Sequence, residues 1–166
     1  MLPWSIMRET VSTNITSARA AAGWLYLVAA ATAINSLAVF KYGRFVDLIV
    51  GLSFTQLIDA AFVGMSLEPK GAPWLWTAGP ALMFDIPIVL LLLVLAFKVS
   101  RHRKRAAQFS FWLYAADTFV FLLMFAASVP SHARLRMLVL PGLAIVGHTV
   151  GLFILHRAWR HTRALA

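Results

Sequence analysis

The chain has 166 residues, of which 61% are hydrophobic and 13% charged, with a formal net charge of +9 and no cysteine. An average soluble domain carries about 25% charged residues, so a water-facing surface cannot be built from this composition. The same arithmetic excludes an intrinsically disordered chain, a disulfide scaffold and a zinc-thiolate centre.

A helix needs about 20 mostly apolar residues to cross the hydrocarbon core of a bilayer. Five stretches meet that length in chain order: Ala20 to Phe40, Phe45 to Met65, Trp74 to Phe97, Phe109 to Val129 and Met137 to Leu155. They are too long and too uniformly apolar for barrel strands, so the expectation is an all-α, polytopic transmembrane helix bundle. Residues 1–19 read as an N-terminal tail with an interfacial amphipathic character, 20–160 as the single membrane domain, and 161–166 as a basic C-terminal tail. A cleaved signal peptide is disfavoured, because the first apolar run is a full span behind a long leader.

With five crossings, one side carries Arg8, Arg19, Lys70, Arg134 and Arg136. The other carries Lys41, Arg44, Lys98, Arg101, Arg103, Lys104, Arg105, Arg157, Arg160 and Arg163. The excess of Lys and Arg marks the cytoplasmic side, which predicts the N-terminus outside and the C-terminus inside. Trp74, Trp76, Trp112 and Trp159 fall near span ends, where amphipathic rings favour the headgroup level. The cluster Arg101, Arg103, Lys104 and Arg105 reads as a topology determinant that also meets anionic lipid headgroups; no nucleic-acid fold surrounds it.

Charge inside the spans is the informative feature. None of the 15 Lys and Arg lies within them, whereas Asp59, Asp85 and Asp117 lie well inside, Asp47 sits near a cytoplasmic end, and the fifth span adds His148. A carboxylate at the centre of a membrane helix costs about 2.5 to 3.5 kcal/mol on the insertion scale, so something must offset three. Counting at about 1.5 Å per residue puts the four ionisable groups near one plane. Gln56 accompanies Asp59 and Tyr114 accompanies Asp117, each one turn away, and antiparallel packing makes Asp117 with His148 the expected direct pair. Protonation, a bound cation or a partner chain could each relieve the charge deficit. In the third span Pro87 frees the carbonyl of Met83 near Asp85, a device that discontinuous membrane helices use for cations. Gly147 and Gly151 form a small-xxx-small pair suited to close helix packing.

The pieces Ala33-Ile34-Asn35-Ser36, Gly51-Leu52 through Gln56-Leu57-Ile58-Asp59, Phe84-Asp85, Tyr114-Ala115-Ala116-Asp117 and His148 through Arg157 resemble, in order and spacing, a family of uncharacterised small five-helix bacterial membrane proteins. The resemblance covers most of residues 20–160 and implies five helices but no activity. The tryptophan-rich sensory/translocator proteins share the size and span count, but their Trp-Pro-Pro signatures are absent.

No nucleophile elbow, zincin motif, phosphate loop or dinucleotide fingerprint occurs, so no enzyme is expected, and no cofactor or metal is identified. The expected role is a non-catalytic accessory subunit of the bacterial inner membrane, contacting lipid and either other membrane subunits or further copies of itself. The alternatives are a proton- or cation-linked transporter using the Asp/His layer and, third, an intramembrane enzyme.

Overall fold

The computed structural model describes residues 4–42, 52–58, 75–128 and 135–163. All the described elements are helical: α1 (Trp4–Tyr42), α2 (residues 53–58), α3 (Leu75–Ser100), α4 (Lys104–Ser128) and α5 (Leu135–Arg163). Among the described residues, three stretches are long and apolar enough to cross a membrane: Ile15–Ala38 in α1, Met83–Ser100 in α3 and Lys104–Ala127 in α4. Asp59 and most of the expected second span lie outside the described residues.

Helix packing follows from which side chains are small. The enclosed face of α1 carries Ala18, Ala21, Ala22, Leu25, Val28 and Ala29, a three-and-four spacing that makes one narrow stripe. Short alanine side chains let neighbouring backbones approach, and α1 packs on both α3 and α5. Helix α4 packs on the same two neighbours, so α1 and α4 face each other across the bundle. The outward surfaces of α3 and α4 are apolar, with Leu90, Val94, Phe97, Phe119 and Leu123 exposed as lipid-facing residues should be.

Helix directions follow from the contacts. Thr16, Ser17 and Ala20 line one groove with Phe153, Ile154 and Arg157, while Trp24 meets Gly151, so α1 and α5 are antiparallel. Phe111 stacks on Trp159 and Thr118 meets His148, so α4 and α5 are antiparallel too. A three-residue turn joins α3 to α4. One end of the bundle therefore gathers the first half of α1, the α3–α4 turn and the last turns of α5.

Residues 16–20 and 153–157 lie together at that end. Tyr42, which ends α1, and Leu75, which begins α3, fall at the same end of the bundle. Leu52 is non-helical and α2 begins at residue 53, inside the expected span from Phe45 to Met65, most of which lies outside the described residues. Helix α1 runs without a break from Trp4, about 58 Å in all against a hydrocarbon core of about 30 Å, and α5 continues to Arg163.

The α3–α4 turn ends α3 with a Schellman motif. His102 N–H donates to the Val99 carbonyl at 2.9 Å and Arg103 N–H to the Lys98 carbonyl at 3.1 Å. His102 takes φ of 58°, the left-handed conformation usually filled by glycine there. Arg101, Arg103, Lys104 and Arg105 are all exposed on this turn, and the Arg101 guanidinium lies 4.3 Å over the Phe97 ring.

Gly151 is the tightest helix contact: a Cβ there would collide with Trp24 Nε1 and stand 2.6 Å from Tyr114 Cε1. Gly147 is half-buried one turn earlier. Gly142, on the same helix, has nothing within 4 Å of an added Cβ. The same substitution should therefore act with opposite signs. Gly151→Ala should lose about 1–3 kcal/mol through overpacking, and Gly142→Ala should gain up to about 1 kcal/mol from helix propensity, both read by thermal unfolding in detergent.

Candidate functional site: a polar belt around the start of helix α2

The interior polar groups come from five helices and meet around the first residues of α2. A helix start leaves its first amide groups without partners inside the helix. At α2 these amides are buried at mid-bundle, since Leu52 and Ser53 are almost wholly enclosed. Water does not serve them. Instead Leu52 N–H donates to Thr32 Oγ1 of α1 at 3.2 Å, and Phe54 N–H donates to Asp117 Oδ1 of α4 at 3.0 Å. Asp117 thus acts as an N-cap supplied by another helix, its negative charge set against the positive end of α2. Thr55 Oγ1 closes the turn by donating to the Leu52 carbonyl at 2.7 Å.

His148 lies on the other side of Asp117. Its Nδ1 is 3.9 Å from Asp117 Oδ2, within reach of ion pairing but too long for a hydrogen bond. The expected pair is thus brought together at ion-pair distance, while the hydrogen bond of Nδ1 is with Thr118 Oγ1 at 3.2 Å. Thr118 spends its single proton on the Tyr114 carbonyl at 2.8 Å, so Nδ1 is the donor and carries a hydrogen. The imidazole is clasped by α4, stacked on Phe121 at 4.6 Å and on Tyr114 at 5.4 Å between ring centroids. Tyr114, Thr118 and Phe121 follow the helical repeat on one face of α4 and form the slot that holds this ring.

Asp85 has a separate setting. It is buried in α3, with Oδ2 2.5 Å from Ser36 Oγ of α1, and Ser36 Oγ is also 2.9 Å from the Thr32 carbonyl. Ser36 Oγ donates to the Asp85 carboxyl oxygen, with the Thr32 carbonyl as its alternative acceptor. Pro87 does not take part. It is exposed, as is Met83, while Asp85 between them is buried. Two residues turn a helix by about 200°, so the carbonyl freed by proline faces away from the carboxyl, contrary to the sequence expectation.

Thr32 joins the two settings, accepting Ser36 at its carbonyl and Leu52 N–H at its hydroxyl. Asp85 lies 15 residues before Ser100 and Asp117 14 residues after Arg103, about 22 and 21 Å from the same turn, so the belt occupies one level. Of the residues singled out from sequence, Asp85, Asp117, His148 and Tyr114 are buried at this level, and Gln56 is half-buried in α2. Asp59 lies outside the described residues. Thr32, Ser36 and Thr118, and the amides of residues 52 and 54, were not anticipated. Thr32, Asn35 and Ser36 share one face of an otherwise alanine-rich helix, and that spacing was a usable signal. Among the described residues no group of three or more His, Asp or Glu is placed to hold a metal ion.

No family model matches the chain, and no curated protein or solved structure matches it. With its three apolar helices of spanning length and its buried mid-depth polar groups, the chain is a multi-pass membrane protein.

The two carboxyl groups should respond differently to substitution. Asp85→Asn keeps an acceptor oxygen for Ser36 and should change thermal stability by less than about 1 kcal/mol. Asp117→Ala removes the cap and should cost about 1–2 kcal/mol, with faster amide exchange at residues 52–58. Asp117→Asn, which retains an acceptor oxygen, should stay close to wild type in both measurements.

Proposed function

We propose that this chain is a small non-catalytic transporter of the bacterial inner membrane, proton-linked, with the basic end of the bundle in the cytoplasm and both described chain ends on that side. The observation that carries the reading is the buried start of α2. A helix begins at mid-depth, its first amides are held by a carboxylate, and that carboxylate lies 3.9 Å from an imidazole. Interrupted helices at the bilayer midplane are where secondary transporters build their sites, and histidine beside a carboxylate is a common proton carrier. Protons fit better than metal cations, because the groups around Asp117 and Asp85 are amide and hydroxyl donors.

The sidedness rests on the excess of Lys and Arg. Arg8 and Arg19 on α1 join the α3–α4 turn and the last turns of α5 at one end, whereas Lys41 falls at the other. The accessory-subunit reading drew on a missing counter-charge, and the bonds to Asp117 and Asp85 weaken that motive. It keeps one supporting observation: the exposed ridge of Phe84, Ile86, Leu90, Leu93, Val94 and Phe97 on α3 suits a neighbouring membrane helix as well as lipid.

Reconstitution into liposomes loaded with a pH-sensitive dye tests the proposal. The wild-type chain should dissipate an imposed pH gradient, and Asp117→Asn should abolish that flux while remaining folded. A wild-type chain that leaves the gradient intact overturns the transporter reading. Companion chains on the particle extracted in mild detergent would then favour the accessory subunit.

A further inference from the structure

The groove between α1 and α5 at the basic end has a composition unlike the rest of the surface. It measures about 210 Å³ and is lined by Thr16, Ser17, Ala20, Phe153, Ile154 and Arg157. Its upper part offers a guanidinium and two hydroxyl side chains; its lower part is apolar. Gly23 continues the face of Thr16 and Ala20 toward the bundle middle, and an added Cβ there meets nothing within 4 Å. The surface of α1 beyond Ala20 is therefore open toward the bundle middle. Its height is set by the aromatic cluster of Phe111, Trp112, His156 and Trp159 on α4 and α5, side chains that favour the headgroup level.

We infer that this groove binds one anionic phospholipid, its phosphate on Arg157 and an acyl chain along Ala20, Gly23 and Phe153. Charge complementarity selects the headgroup. Arg19 and Arg160 stand one turn from the groove on either helix, and the carboxylates with described side chains, Asp85 and Asp117, lie deep in the bundle. Glu9 is two turns beyond Thr16 on the α1 extension. The lining matches the phospholipid in order as well as in kind, polar toward the interface and apolar toward the hydrocarbon core.

The test uses the full chain, stripped of lipid in detergent and offered phosphatidylglycerol, phosphatidylcholine or inorganic phosphate. Retained lipid is read by native mass spectrometry and stabilisation by thermal unfolding. Wild type should retain one phosphatidylglycerol and unfold at higher temperature with it, and should respond to neither phosphatidylcholine nor inorganic phosphate. Arg157→Gln should reduce retention about tenfold or more, beyond the roughly fivefold weight of one diffuse surface charge. Ala20→Leu, which fills the groove and leaves the arginine in place, should also release the lipid. Arg103→Gln, one charge fewer on the exposed turn, should leave it bound. Equal retention of the two lipids overturns the site, as does an equal loss in Arg157→Gln and Arg103→Gln. An inorganic phosphate response matching that of phosphatidylglycerol would show an anion site without a lipid and would overturn it as well.

Discussion

The bond from the Phe54 amide to the Asp117 carboxylate is the contact around which the interior is arranged. An unserved backbone amide in a lipid-like interior costs several kcal/mol, so a helix can begin there only if protein supplies the acceptors. Asp117 and Thr32 are those acceptors, and they come from α4 and α1, which face each other across the bundle. The start of α2 thus serves as a crossbar between two helices that also meet at the Trp24–Tyr114 ring contact. An intramembrane aspartate is expensive by itself and inexpensive here, because the positive end of a helix is what it meets.

The same crossbar organises the remaining polar groups. His148 is placed beside Asp117 by a slot of two rings and a threonine, and that threonine fixes which imidazole nitrogen carries the hydrogen. Asp85 is tied to the crossbar through Ser36 and Thr32. Close to this belt Gly151 lets Trp24 and Tyr114 approach the α5 backbone.

Much of this was legible in the sequence, and the limits have physical causes. Asp85, Asp117, His148 and Tyr114 announce themselves because polar atoms in an apolar run must find partners inside. The lengths of α3 and α4 follow from hydropathy. The partners of Asp117 were hidden, since every residue except proline has an amide and the residue types do not say which one is exposed at a helix start. Gly51 and Ser53, both poor helix formers, were the trace of a helix start at residue 53. The proline argument failed for a different reason: proximity along the chain is not proximity around a helix, and Pro87 and Asp85 point apart.

The separation between Phe54 and its cap also has a consequence for biogenesis. The two partners are 63 residues apart in the chain. At about 5–20 residues per second, synthesis delivers the acceptor roughly 3–13 seconds after the donor. During that interval nothing in the nascent protein can serve the first amides of α2 from α4, and hydrocarbon is closed to them. They must wait where water reaches, at the membrane surface or in the insertion machinery, and enter only once α4 is in place. The order in which the helices are made is therefore not the order in which they are buried, and α2 is among the last parts of the bundle to be sealed.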